Sequence, residues 1–187
     1  MFKQIVVCPW KYGQKKDGVD IGAFEIENIL KSKCINENFT HIDYSKDNET
    51  YNHTIFDICS TLDGNRLTIG GDHSIGVGSV LSSIYLNKDT CVIWIDAHPD
   101  INTYNTSFSK NVHGMPVSFL TGLENAWSWV NDKPILKFEN LYYFGIRDCD
   151  EFETNTIKNH NISVFRNITD IINLMESMCL LHKTREI

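Results

Sequence analysis

Apolar residues along this chain fall into short unbroken runs, and between them lie segments whose apolar positions recur at helical spacing. Cys91-Val92-Ile93-Trp94-Ile95 has no polar alternation, which is how a strand covered on both faces of a parallel sheet reads. Residues 4–8, 66–69, 141–146 and 162–165 are runs of the same kind, and 39–44 alternates weakly, as a more exposed strand does. A helix is predicted over about 21–31, with Ala23, Ile26 and Leu30 on one face. Another starts at Ser74, because Val77, Val80, Leu81 and Ile84 recur at i, i+3, i+4 and i+7. Residues 54–60 give a weaker helical signal, Pro116 opens a helix carrying Val117, Phe119 and Leu120, and a last helix from Ile168 places Ile171, Ile172, Met175 and Met178 on one stripe. Strands alternating with helices predict an α/β fold on a parallel sheet. With no repeat, low-complexity tract or linker, 1–187 reads as one domain.

Chemistry gathers where the strands stop. The run 91–95 ends in Asp96-Ala97-His98-Pro99-Asp100, at the carboxyl edge where open α/β sheets form their ligand crevices. If that segment stays extended, Asp96, His98 and Asp100 point to one side. Two carboxylates and one imidazole suit a divalent ion of the Mn or Zn type better than a thiolate-preferring one. The alternative is a solvated acidic loop, and the position directly after a buried strand favours the metal. The run 66–69 stops at Gly70-Gly71-Asp72-His73-Ser74, whose paired glycines let the backbone turn sharply and approach another group closely. Asp72 reads as a partner behind the ligands rather than a ligand itself. A third strand end offers Asp148 and Asp150, with Cys149 between them expected to be a buried structural thiol.

Composition narrows the function classes. A formal net charge of -7 argues against a nucleic-acid partner, which needs a basic face. The six cysteines include no C-x-x-C pair and read as buried free thiols of a reducing compartment. No stretch has the length of a membrane span, and the start, Met1-Phe2-Lys3-Gln4, runs into an apolar segment too short for a signal peptide. A cytoplasmic protein without membrane partners is expected. His41, His53, His160 and His182 have no ligand partner at short spacing and are expected to be surface or core residues.

Three motifs in order, Gly70-Gly71-Asp72-His73-Ser74, Asp96-Ala97-His98-Pro99-Asp100-Ile101-Asn102 and Asn111-Val112-His113-Gly114-Met115-Pro116, resemble the ureohydrolase signatures in their arginase form. The resemblance implies a three-layer α/β/α domain with a parallel sheet, arginase/deacetylase-like. It also implies a pair of Mn2+ ions activating a water against the guanidinium carbon of L-arginine, giving ornithine and urea, and a homo-oligomer, trimer or hexamer. Carried over, His73 and Asp100 would bind the first ion, His98 the second, and Asp96 would bridge them. His113 matches the proton-shuttle histidine. Asn102, Ser109 and Asn111 match positions that recognise the substrate α-carboxylate, and Asp150, with Glu153 assisting, those that receive the α-amino group. Lys110 stands where the family usually has glycine, and Phe108 is bulkier than the pattern.

The resemblance also implies, after Asp148-Cys149-Asp150, a later D-x-D strand end completing both ion sites, and a glutamate meeting the guanidinium; the sequence stops short of both. One ion at most is therefore expected to be held firmly. The family sheet sets strands two, one and three together and strands four, five and six together, with two later strands between. A chain with only the first six is expected either to close its two halves on each other or to leave two apolar edges unpaired. This predicts a truncated, frameshifted or fragmentary arginase-like domain. An agmatinase-type enzyme, needing no α-carboxylate pocket, and an inactive metal-binding or partner-binding remnant are the other readings.

Overall fold

The computed structural model describes residues 4–33, 38–45, 47–62 and 64–185. The readings at 1–3 and Cys34 lie outside them, as do the side chains of Cys179 and His182. The chain divides into two compact units, one running to residue 90 and resuming over 100–136, the other made of 91–99 and the chain from 137 on.

The first unit is built on β1 (Gln4–Cys8), α1 (Val19–Lys33), β2 (Asn38–His41), α2 (Asn48–Ser60), β3 (Arg66–Gly70) and α3 (Gly76–Leu86). β1 is central and pairs in parallel with β2 on one side and β3 on the other. Its alternate residues serve two cores, as a strand buried on both faces requires. Val6 and Cys8 pack with Tyr51, Ile55 and Cys59 of α2, while Ile5 and Val7 pack with Ala23 of α1 and Ile69 of β3. Burial of each such aliphatic side chain contributes about 1.5–3 kcal/mol. α2 begins six residues earlier than its apolar signal because Asp47 caps it, accepting from Thr50 N at 2.8 Å. α2 and α3 meet at Gly78, whose N–H donates to Asn52 Oδ1 at 2.9 Å and whose added Cβ would lie 2.3 Å from the Asn52 carbonyl oxygen. The unit ends with α4 (Pro116–Thr121) and α5 (Ser128–Asn131).

The second unit holds β4 (Val92–Ile95), β5 (Leu141–Phe144), α6 (Glu151–Asn159), β6 (Ser163–Phe165) and α7 (Ile168–Arg185). Its sheet is parallel in the order β4-β5-β6. The order within each sheet is the one the resemblance implies. Among the described residues β3 pairs only with β1, and β4 only with β5. None of the described helices is long and apolar enough to cross a membrane.

Several local expectations change. On α1, Ile26 is exposed and its place on the inner face is taken by Glu27, which is drawn in by His41 and Lys31. On α7, Ile171 is buried, but Ile172 and Met175 are exposed, so the apolar stripe is only partly covered. Cys8 and Cys59 are buried as expected, and burial pushes both thiols above their ordinary value. Cys91 and Cys149 are exposed, because each lies in a loop, Cys91 just before β4 and Cys149 just before α6.

Glu27 gives a test of this packing. Burial opposes its ionisation, but hydrogen bonds from Lys31 and His41, at 2.6 and 2.7 Å, outweigh that and hold its carboxyl below the ordinary carboxylate value. A lowered folded value stabilises the fold above the ordinary value, and that contribution is lost as pH falls through the folded one. Glu27→Gln is expected to cost about 1–3 kcal/mol at neutral pH. The gap between the urea midpoints of variant and parent should shrink as acid is added, and a gap that widens in acid would contradict the assignment.

Candidate metal and substrate site

In the first unit the site is set by a crossing of backbones. β3 ends where the loop leaving β1 passes over it, with Gly71 N donating to Cys8 O at 3.0 Å and Asp72 N to Trp10 O at 2.8 Å. A Cβ on Gly71 would lie 1.9 Å from the Trp10 carbonyl oxygen, which explains why glycine precedes the Asp-His pair. The expected close approach is thus an approach to the β1 loop. Asp72, buried, accepts from Ser74 N at 2.9 Å and Gly13 N at 2.7 Å, capping the 3-10 turn of His73–Ile75 and tying it to that loop. It thus braces the backbone that carries His73.

His73 then points its Nδ1 at Asp100 Oδ2, 2.7 Å away. Asp100 is buried, and its φ of 49° is left-handed, a conformation that costs most residues about 1–2 kcal/mol but that aspartate tolerates. Its carbonyl accepts from Val117 N at 2.9 Å at the start of α4, which holds the reversal in place. Residues from two separate strand ends therefore present a ring nitrogen and a carboxylate oxygen at one point. Their chemistry fits Mn2+ or Zn2+.

The second unit carries Asp96 and His98. The segment 96–100 is bent rather than extended, which corrects the expectation of three side chains on one side: Asp96 Oδ1 folds back to accept from His98 N at 2.9 Å, and Asp100 is left-handed. The bend is stapled to the end of β5. Asp96 N donates to Phe144 O at 3.1 Å, Arg147 N and Asp148 N to Ala97 O at 2.9 and 3.1 Å, and Tyr143 Oη to Pro99 O at 2.8 Å. The His98 ring lies between Asp96 Oδ1 and Asp148 Oδ2, each 3.5 Å from a different ring nitrogen. Asp148, unassigned from sequence, is thus a neighbour of the candidate ligand.

Asp150 and Glu153 have a local task in the same unit. Asp150 Oδ1 accepts from Glu153 N at 3.0 Å, and Glu153 Oε2 accepts from Asp150 N at 3.2 Å, a capping box opening α6. The D-x-x-E spacing is a helix-start signature, and α6 has no counterpart among the helices expected from the apolar pattern. Cys149 beside it is exposed, which corrects the expected burial. Partial desolvation, then Glu153, Asp148 and Asp150, hold its thiol above the ordinary value, so it is a poor nucleophile.

The polar loop 102–111 is organised by its own side chains. Asn102 Oδ1 accepts from Thr106 Oγ1 at 2.9 Å, and Asn111 N donates to Ser109 Oγ at 3.3 Å. Glu124, buried, anchors the loop by accepting from Tyr104 N at 2.7 Å, and Lys110 Nζ donates to the Tyr104 carbonyl. Phe108 stands fully exposed. His113 follows at the 3-10 turn of Val112–Gly114 and faces the β1 loop, its N donating to Gly13 O at 3.0 Å.

Comparison with known proteins decides the family. The family model described as Arginase family matches residues 4–177. The chain belongs to the arginase family. It is 35% identical over 192 residues to arginase, non-hepatic 2, of Xenopus laevis, covering 86% of this chain and 53% of that protein. It is 44% identical over 109 residues to an arginase of Neurospora crassa, covering 53% of this chain and 30% of that one. The chain thus spans about half or less of the length of these relatives. Its fold superposes on Entamoeba histolytica arginase in complex with L-ornithine with a TM-score of 0.78 at 27% identity, covering 94% of this chain and 71% of that one. With Bacillus subtilis arginase the TM-score is 0.79 at 27% identity, covering 100% and 70%.

In an arginase-family chain the departure at Lys110 acquires a physical meaning, because its φ of 57° is a conformation that favours glycine. Lys110→Gly removes about 1–2 kcal/mol of left-handed strain against about 0.5–1 kcal/mol of added backbone entropy. The variant is expected to raise stability by about 0.5–1 kcal/mol in urea unfolding. A loss instead would show that the bond from Lys110 Nζ to Tyr104 outweighs the strain.

Proposed function

We propose that this chain carries the first-ion and substrate-end chemistry of an arginase-type manganese hydrolase acting on L-arginine. The observation that carries the reading is the 2.7 Å pairing of His73 with Asp100 in a chain of this family. By family correspondence His73, Asp100 and Asp96 would hold the first ion, and His98 with Asp96 the second. Bound there, Mn2+ would lower the proton affinity of a water, supplying at neutral pH the strong nucleophile that a resonance-stabilised guanidinium demands. Asn102, Ser109 and Asn111 are assigned to the substrate α-carboxylate, Asp150 and Glu153 to the α-amino group, and His113 to proton transfer. Short polar side chains and an acceptor carboxylate are what the backbone end of an amino acid requires. Asp150 and Glu153 would fill that role while capping α6, since a carboxylate accepts more than one hydrogen bond.

Ligand count makes the two ion positions unequal. The first is assigned His73, Asp96 and Asp100, the second only His98 and the shared Asp96, and divalent ions with oxygen and nitrogen ligands need several donors. Calorimetric titration of the chain with Mn2+ is expected to show one equivalent with a Kd on the order of micromolar or weaker, abolished by Asp100→Ala and retained in His53→Ala. Urea release from L-arginine in the loaded chain, exceeding that from agmatine, supports the substrate assignment. Two tight equivalents, or binding indifferent to Asp100, would overturn the proposal of one dominant site.

A further inference from the structure

The loop that leaves β1 is tied to the proton-transfer candidate as well as to the ligand strand. Gly13 donates its N–H to the buried carboxylate of Asp72 at 2.7 Å, and its carbonyl accepts twice from His113, from the backbone N at 3.0 Å and from ring Nδ1 at 3.2 Å. A carbonyl oxygen only accepts, so the nitrogen facing it must carry the hydrogen. In the neutral ring the other nitrogen is then the lone-pair atom, because which nitrogen is protonated is set by the bond its partner makes. Glycine is needed at position 13 for this approach. A Cβ there would lie 2.3 Å from Asp72 Oδ1 and 2.5 Å from Ser74 Oγ.

We propose that Asp72, acting through the backbone of Gly13, is a positioning residue that fixes the tautomer of His113, with the proton on Nδ1 and Nε2 left to exchange protons with substrate. The inference rests on the reading of His113 as the proton-transfer group. It adds that the β1 loop, otherwise a solvated stretch rich in Gly and Lys, selects the nitrogen that does the work. Both oxygens of Asp72 are used, one on Gly13 and one on Ser74, so an amide at this position can accept only one of those two bonds. Asp72→Asn therefore sets an amide N–H2 against one of the two N–H donors, and either loss loosens the junction that holds Gly13 against His113, without changing side-chain volume.

Nitrogen-15 NMR of the histidine rings in the full chain, recorded at alkaline pH, tests this. His113 is expected to show a protonated Nδ1 and an unprotonated Nε2. In Asp72→Asn and in Gly13→Ala that preference should be lost, with both nitrogens moving toward averaged values while His53 and His160 keep theirs. A His113 protonated at Nε2 in the parent chain would overturn the inference, and so would a folded Asp72→Asn or Gly13→Ala that keeps the parent tautomer. If one variant fails to fold, the parent spectrum and the other variant still decide. Absence of urea release from a parent chain with the expected tautomer counts against the proposed hydrolase activity and not against the positioning.

Discussion

The crossing of the β1 loop over the end of β3 is the constraint on which the first unit's chemistry depends. Here the loops leaving two paired strands touch backbone to backbone, Gly71 N donating to Cys8 O and Asp72 N to Trp10 O. Gly71 makes that contact sterically allowed, since any side chain would collide with the Trp10 carbonyl. Asp72 makes it permanent, by accepting from Gly13 and from Ser74 with its two carboxylate oxygens. His73 is one residue further on, so its ring inherits the precision of a hydrogen-bonded junction rather than the freedom of a loop. Candidate ligands held by buried bonds of this kind need little reordering when an ion arrives.

The second unit solves the same problem by a different device. The Asp96–Pro99 bend is fastened to β5 through main-chain bonds and the Tyr143 hydroxyl, and Gly145, at φ 88°, provides the turn beside it. The chain then passes into the first unit at Asp100, a residue in a left-handed conformation with a buried carboxylate. Strain of this kind persists where the surroundings hold it, and Asp100 is held by Val117 on one side and His73 on the other. The D-A-H-P-D run is therefore covalently one motif while its residues belong to two compact units.

Much of this was legible in the sequence because it depends on short-range rules. Unbroken apolar runs located the strands, and their ends located His73, Asp96 and His98. Part of what escaped depends on contacts between residues far apart in sequence. No periodicity reveals that Glu27 turns inward to meet His41, or that Gly13 reaches Asp72 and His113. The extended reading of 96–100 failed because an aspartate side chain competes with strand geometry by capping its own backbone two residues on. α6 escaped for a simpler reason: it is short and carries only Phe152 and Ile157 as large apolar residues, and Asp150 and Glu153 suit a substrate site as well as a capping box. The apolar stripe of α7 was visible in the sequence, but its partial exposure was not, since burial depends on what lies opposite.

The central claim is that His73 and Asp100 form the nucleus of a manganese site in this chain. Paramagnetic Mn2+ added at substoichiometric levels to the chain, observed through the histidine ring resonances, tests it most directly. The account predicts that the His73 ring signals broaden beyond detection first, while those of His53 and His160 stay sharp, and that Asp100→Ala abolishes the difference. Uniform broadening of all histidines, or a His73 ring untouched by the ion, would contradict it.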